Sequence, residues 1–263
     1  RVYKLREKLK NLAPKAKDIR RVHVVGAGVM GGDIAAWCAL RGLTTSLQDQ
    51  VAEAIDKALA RAGKQFGKRL RGPGEADAAK ERLIGDVSGA QIADADIVIE
   101  AIVERLDVKQ TVFGQFEEAV GDNTILASNT SSLQIEDIAE KLSRPERVVG
   151  IHFFNPVAKM PLVEVIHGAQ TDPGVADRAI GFVTAIGKLP LPCRSAPGFL
   201  ENRVLTPYLF EALRAHLDGH AIAEIDAAAT AFGMPVGPIE LSDQVGLDVA
   251  LHVAGIMRET LGT

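Results

Sequence analysis

The strongest constraint on this chain is a change of pattern around residue 26. Val22 to Val25 is a short apolar run of strand type, and it passes directly into Gly26-Ala-Gly28-Val-Met-Gly31. An apolar helical stretch then runs from about Val29 to Arg41. A strand, a GxGxxG turn and a helix in that order are the context in which the motif binds a dinucleotide. Gly26 permits the tight turn, Gly28 lets backbone approach a pyrophosphate, and Gly31 lets helix and strand pack closely. The phosphates would sit at the positive helix N-terminus. A second strand, Thr44 to Gln48, ends in Asp49, where an acidic side chain takes the adenosine ribose hydroxyls. That carboxylate would repel a 2′-phosphate, so NAD is expected over NADP. A glycine turn in a nucleotide-free α/β fold is the plainer alternative. His23, inside the first strand, reads as a core or edge histidine rather than a ligand.

Composition narrows the class further. The chain has 263 residues, 47% of them apolar, and a net charge of −4. It can bury a substantial core, and it lacks the basic surface of a general nucleic-acid binder. No apolar run approaches a membrane span. Cys38 and Cys193 lie far apart without metal-like spacing, so no metal site is expected and a reducing compartment suits them. Arg1 opens a charged segment unlike a signal peptide. The absence of an initiating Met suggests a fragment of a longer protein. A soluble, cytoplasmic protein is expected, bacterial ahead of mitochondrial or peroxisomal.

Residues 1–18 read as a charged helix broken by Pro14 and then a linker. Residues 19–196 read as a Rossmann-type doubly wound domain with a mostly parallel sheet, and 197–263 as a small, truncated, all-helical domain opening after Pro197-Gly198. Between Gln50 and Gly72 a long helix carries two stripes. Ile55, Leu59, Ala62, Phe66 and Leu70 form an apolar one, and Lys57, Arg61, Lys64, Lys68 and Arg71 a basic one. The basic stripe is either a solvated face or a surface for a polyanionic ligand. A helix is expected near Asp77 to Leu83. The run from Asp96 to Glu104 should hold the next parallel strand, with Ile102, Val103 and Glu104 at its carboxyl end. A helix from about Leu106 to Val120 and a strand Thr124 to Ala127 follow, delivering Asn129 and Ser131 to the same edge, where ligands of open α/β sheets bind. A helix from Asp172 to Ile186 and a strand from Lys188 to Pro192 complete this part. Beyond Pro197-Gly198, Phe199 to Leu217, Ile222 to Phe232 and Pro238 onward are helical in pattern. His216, His220 and His252 look like helix-surface residues.

Two further strand-like runs, Val148 to Phe154 and Leu162 to Ile166, each contain one ionisable residue, His152 and Glu164. Burying such groups is costly without partners, and each is the simplest partner for the other. A histidine oriented by a carboxylate is a general base; a satisfied core histidine beside a strand-end charge is the bland alternative. Convergence of this pair with the dinucleotide edge favours catalysis.

With these residues laid out, GAGVMGG, IEAIVE, SNTSSL, HFFNPVAKMPLVEVI, PGFLENR and MPVGPIELSDQVGLD resemble the L-3-hydroxyacyl-CoA dehydrogenase family in order and spacing. The resemblance runs from Arg20 to the end. It implies that His152 is the base that removes the 3-hydroxyl proton as hydride passes to NAD, and that Glu164 orients it. It implies that Ser131 and Asn202 hydrogen-bond the substrate oxygen. The NAD contacts it implies, with those of the glycine turn, are Gly26, Gly28, Val29, Met30, Gly31, Asp49, Gln50, Ile102, Val103, Glu104, Lys109, Asn129 and Asn155. Lys64 and Lys68 become candidates for the coenzyme A nucleotide of an acyl-CoA substrate. The N-terminal helix is similar to the linker of multifunctional β-oxidation proteins, which implies an enoyl-CoA hydratase domain upstream. The family's helical domain continues past GLD, so a homodimer is implied only if that domain is complete. A related β-hydroxyacid dehydrogenase that does not use CoA, or a catalytically silent NAD-binding fragment, are the alternatives.

Overall fold

The computed structural model describes residues 2–12, 16, 18–246, 251 and 255. Two compact units divide the chain, Arg1–Ser195 and Ala196–Thr263. The first is built from α1 (Val2–Lys10), β1 (Arg21–Val25), α2 (Val29–Leu40), β2 (Thr44–Gln48), α3 (Ala52–Arg69), α4 (Glu75–Glu81) and β3 (Leu83–Asp86). It continues with β4 (Ile97–Glu100), α5 (Leu106–Ala119), β5 (Ile125–Ser128), α6 (Ile135–Ala139), β6 (Val148–Phe153), β7 (Leu162–His167), α7 (Pro173–Ala185) and β8 (Leu189–Arg194). The helix expected as a linker, α1, falls inside this unit, and the expected break at Pro14 lies outside the described residues.

The eight strands form one sheet in the order β3-β2-β1-β4-β5-β6-β7-β8. Every neighbouring pair is parallel except β6 and β7, which run antiparallel. The reversal of strand order on either side of β1 is the switch point at which α/β sheets open a crevice. Every residue of β4, β5 and β6 is buried. Their continuous apolar character follows, since strands covered on both faces cannot alternate with polar residues. Val24, Ile34, Leu47, Ile99, Phe153 and Phe182 all belong to the resulting core. Phe66, on the apolar stripe of α3, is fully buried there, and its truncation to Ala would cost about 3–5 kcal/mol.

The structure departs from the sequence expectations at three places. Leu83–Asp86 is an edge strand that the sequence did not suggest, and the helix expected to run to Leu83 ends at Glu81. The strand's burial pattern, with only Leu83 and Asp86 covered, lacks an apolar run to announce it. The strand β4 ends at Glu100, so Ile102 to Glu104 follow it in the loop rather than closing it. The helix α3 ends at Arg69, leaving Arg71 outside the basic stripe.

The second unit holds α8 (Glu201–Leu217), α9 (Ile222–Phe232) and α10 (Pro238–Val245), each in contact with the other two. The Asp226 carboxylate accepts the Ile239 and Glu240 amides at 2.9 and 3.1 Å, closing the amino end of α10. His216 and His220 are exposed; His252, and the helix expected beyond Gly246, lie outside the described residues apart from 251 and 255. No helix among the described residues is long and apolar enough to cross a membrane.

Candidate active site

The dinucleotide turn is held by close approach. At Gly26 (φ 104°) a Cβ would stand 2.5 Å from the Ala101 carbonyl oxygen, and at Gly31 it would stand 1.8 Å from that of Gly26. Neither position admits another residue without moving backbone. Gly28 differs, because a Cβ there would meet nothing within 4 Å. The fold does not need glycine at that position, so the demand comes from whatever lies in front of the turn. Gly28 is also the N-cap of α2 and supplies no side chain to the first-turn amides, which leaves them to water or an anion. Asp49 braces the turn: Oδ2 accepts the Ala27 amide at 2.7 Å and Oδ1 the Val51 amide at 3.0 Å. Val29, Val51 and Val103 expose more than half their surface. Uncapped amides, an open Gly28, a fixed carboxylate and nearby apolar side chains fit an NAD dinucleotide.

Beyond the turn, a buried charge network ties together the ends of β4 and β5 and the start of α5. Glu100 is completely buried. Its Oε1 accepts from Lys109 Nζ at 2.6 Å and the Ile102 amide at 2.7 Å, and its Oε2 from Ser128 Oγ at 2.6 Å. Lys109, 1% exposed, also pairs with Glu104 at 3.1 Å. Oε1 of Glu104 in turn collects Thr130 Oγ1 at 2.5 Å, the Ser131 amide at 2.9 Å, and Ser132 Oγ at 3.0 Å. Burial pushes the Glu104 carboxyl up, but the Lys109 charge and the bonds from Thr130 and Ser132 outweigh it and hold it below the ordinary range. The loop that carries Ser131 is therefore clamped by an acceptor that stays ionised. Asn129 Oδ1 accepts the Phe153 amide at 2.9 Å, joining this loop to the end of β6.

There His152 and Glu164 stand directly opposite one another across β6 and β7. Nδ1 of His152 lies 2.9 Å from Oε2 of Glu164, with the histidine 7% exposed and the glutamate fully buried. A carboxylate only accepts, so Nδ1 carries the hydrogen. The Phe154 ring sits 4.6 Å from the imidazole, centroid to centroid.

The first unit thus brings together the glycine turn, Asp49, Glu104, Lys109, Asn129, Ser131, His152 and Glu164 around the carboxyl ends of its parallel strands. Val103 and Ile102 lie in the loop after β4, and Asn155 two residues past β6. Met30 packs partly against the core, and Gln50 follows Asp49 at the end of β2. Lys64 and Lys68 are exposed on α3. Asn202 lies in the first turn of α8, in the second unit. His23 is a core residue: its ring nitrogens lie 2.7 Å from Ser46 Oγ and 2.8 Å from Gln48 Oε1. The sequence reading missed Glu100 and Val51. Glu100 left a signal, a carboxylate closing the apolar run Ile97-Val-Ile with a lysine nine residues on.

Fold and site define a class: a dinucleotide-binding α/β protein with a histidine–carboxylate pair at the cofactor edge. The comparisons with known proteins carry this further. The family model "3-hydroxyacyl-CoA dehydrogenase, NAD binding domain" matches residues 21–196, and "3-hydroxyacyl-CoA dehydrogenase, C-terminal domain" matches 198–263. The chain belongs to the 3-hydroxyacyl-CoA dehydrogenase family, a family of NAD-binding oxidoreductases. Among curated relatives, the fatty acid oxidation complex subunit alpha of Psychrobacter cryohalolentis is 42% identical over 256 residues, covering 95% of this chain and 35% of the relative. That of Pseudomonas aeruginosa is 41% identical over 260 residues, covering 97% and 36%. The chain thus spans about a third of the length of the curated relatives it matches. Among solved structures, 3-hydroxybutyryl-CoA dehydrogenase from Escherichia coli K12 superposes with a TM-score of 0.89 at 38% identity, covering 93% of this chain and 53% of that one. The (S)-3-hydroxybutyryl-CoA dehydrogenase of Ralstonia eutropha gives 0.89 at 36%, covering 94% and 89%.

Proposed function

We propose that this chain carries out the NAD-dependent oxidation of an L-3-hydroxyacyl-CoA to the 3-ketoacyl-CoA in fatty-acid β-oxidation. The observation that carries the reading is the 2.9 Å pairing of His152 with a fully buried Glu164 on the sheet edge that holds the glycine turn. Bound NAD supplies the hydride acceptor. With Nδ1 committed to Glu164, proton exchange falls to Nε2, which takes the proton of the 3-hydroxyl. Glu164 stabilises the imidazolium that forms and fixes the plane of the ring. The Ser131 hydroxyl, on the loop clamped by Glu104, donates to the substrate oxygen while negative charge builds on it. Asn202 joins this set on the strength of its motif alone. Lys64 and Lys68 offer exposed ammonium groups to the coenzyme A phosphates. The fatty acid oxidation complex relatives, of which this chain spans about a third, support further domains in the full-length protein and, being bacterial, a cytoplasmic setting. The upstream hydratase domain rests on the resemblance of the N-terminal segment.

The test is NADH oxidation with acetoacetyl-CoA by the parent chain and by His152→Ala. A lost general base lowers kcat by about 10²–10⁴-fold, with NADH binding retained. Equal turnover by parent and variant would remove His152 from the chemistry.

A further inference from the structure

Away from the network around Glu100, the buried cation Lys188 has no part in the chemistry described above. Lys188 lies between α7 and β8 and is 4% exposed. Its ammonium donates to the Val157 carbonyl and, at 2.7 Å, to that of Met160. It also stands 4.1 Å from the centroid of the Trp37 ring. An ammonium has three hydrogens to place; two carbonyls and an aromatic face account for all of them, and the face attracts the charge electrostatically. Trp37 belongs to α2, the helix of the dinucleotide turn, and its Nε1 donates to Ile186 at 3.0 Å. Arg69, at the end of α3, lies 5.5 Å from the same ring and donates to the Ala158 carbonyl at 2.8 Å. Three carbonyls of one segment, at 157, 158 and 160, are therefore held by two cations gathered on one indole.

That segment is the connection between β6 and β7. The strands it joins carry His152 and Glu164, and it contains Asn155. The Pro161 carbonyl accepts the Leu189 amide at 2.8 Å, so the residue after Lys188 also fixes where β7 begins. Resting on the dehydrogenase reading above, we propose that Lys188 is a positioning residue for the His152–Glu164 pair, its ammonium on Trp37 holding the backbone that joins their strands. The cluster also ties the hairpin of the catalytic pair to the helix at whose N-terminus the dinucleotide would lie. Burial, then Arg69 and Arg41, bring the ammonium down to about 8 while the neighbouring Cys38 acts weakly the other way. Above that pH the amine keeps two donors for its carbonyls and loses the charge that the indole attracts.

The test uses the fact that Trp37 is the chain's one tryptophan. In the parent, its emission titrates with a midpoint near the pH of about 8 that its neighbour sets. Lys188→Met abolishes that step, and Lys188→Arg, charged at every accessible pH, shows none in this range. In Lys188→Met, backbone amides at 154–161 exchange with solvent faster than in the parent. Misplacing a catalytic group by about 1 Å can cost 10²-fold, so kcat falls by about ten- to a hundredfold in Lys188→Met. KM for NADH and acetoacetyl-CoA moves by less than about threefold, the pattern of a group acting on the transition state. A Lys188→Met variant with parental kcat and parental exchange at 154–161 overturns the proposal. So does an emission step that survives the substitution. Should the parent chain turn nothing over, the dehydrogenase reading fails, and emission and exchange still decide whether Lys188 holds this segment. If Lys188→Met does not fold, Trp37→Phe, which shrinks the ring beneath the ammonium, decides: slower turnover with faster exchange at 154–161 supports the proposal, and parental values of both overturn it.

Discussion

Replacing Glu100 with Gln is the sharpest probe of the network beneath the Ser131 loop. The substitution keeps the shape of the side chain and removes one charge. Three donors converge on the carboxylate, from Lys109, Ser128 and the Ile102 amide, all at 2.6–2.7 Å. An amide offers a single acceptor oxygen. With that oxygen toward Lys109 and the Ile102 amide, the NH2 group faces Ser128, whose hydroxyl turns to accept. The Lys109 ammonium is left with Glu104, at 3.1 Å, as its charged partner. Breaking a buried pair from one side costs about 3–5 kcal/mol, because the other charge stays buried. At about 2–4 °C per kcal/mol for a unit of this size, Tm should fall by roughly 6–20 °C. Urea unfolding followed by Trp37 emission reports on the first unit alone, since that unit holds the only tryptophan. Adding Lys109→Met removes the stranded cation. The double variant should then lie above the sum of the two single losses by about 1 kcal/mol or more, the signature of coupled neighbours. A loss below about 1 kcal/mol for Glu100→Gln, or simple additivity in the double variant, would refute the argument that this pair is energetically coupled.

Gly28→Ala should fold with parental Tm, because its Cβ meets nothing, and yet bind NADH more weakly by at least about tenfold, measured by fluorescence titration. Gly31→Ala, whose Cβ would lie 1.8 Å from a carbonyl oxygen, should instead fail in the stability assay before binding can be measured. Neutralising Lys64 and Lys68 together should raise KM for acetoacetyl-CoA by about tenfold at low salt, less at high salt, and leave NADH binding alone. The Glu104 carboxyl is held below its ordinary range in the fold, so its contribution is present above the range of a free carboxylate and is lost as pH falls through and below it. Parent stability should therefore decline with acid more steeply than that of Glu104→Gln when both are followed by thermal unfolding.

What could be read from the sequence, and what could not, separates by distance along the chain. The glycine turn, Asp49 and the strand runs were legible because each is a local pattern with its own steric meaning. The pairing of His152 with Glu164 was legible because two apolar runs each contained one group that needed a partner. The edge strand at Leu83–Asp86 was not, since a half-exposed strand of four residues carries neither an apolar run nor strict alternation. The extent of β4 was misjudged because Ile102 and Val103 prolong the apolar pattern past Glu100, where the chain turns to reach α5. The Lys188 cluster was invisible in principle. Its members come from α2, α3, a hairpin connection and the start of β8, and only the packed sheet brings those four segments together.

The one antiparallel step in the sheet gives the proposed catalytic pair, His152 and Glu164, an all-or-nothing character. His152 faces Glu164 because the ladder between β6 and β7 places them in register. Sliding one strand by a single residue would set Val163 or Val165 against the histidine and turn Glu164 to the other face of the sheet. No intermediate alignment leaves the pair partly made. A population of refolded molecules would then divide into competent and silent members, with none of middling activity. Turnover recovered after refolding would count the molecules whose hairpin closed in the right register.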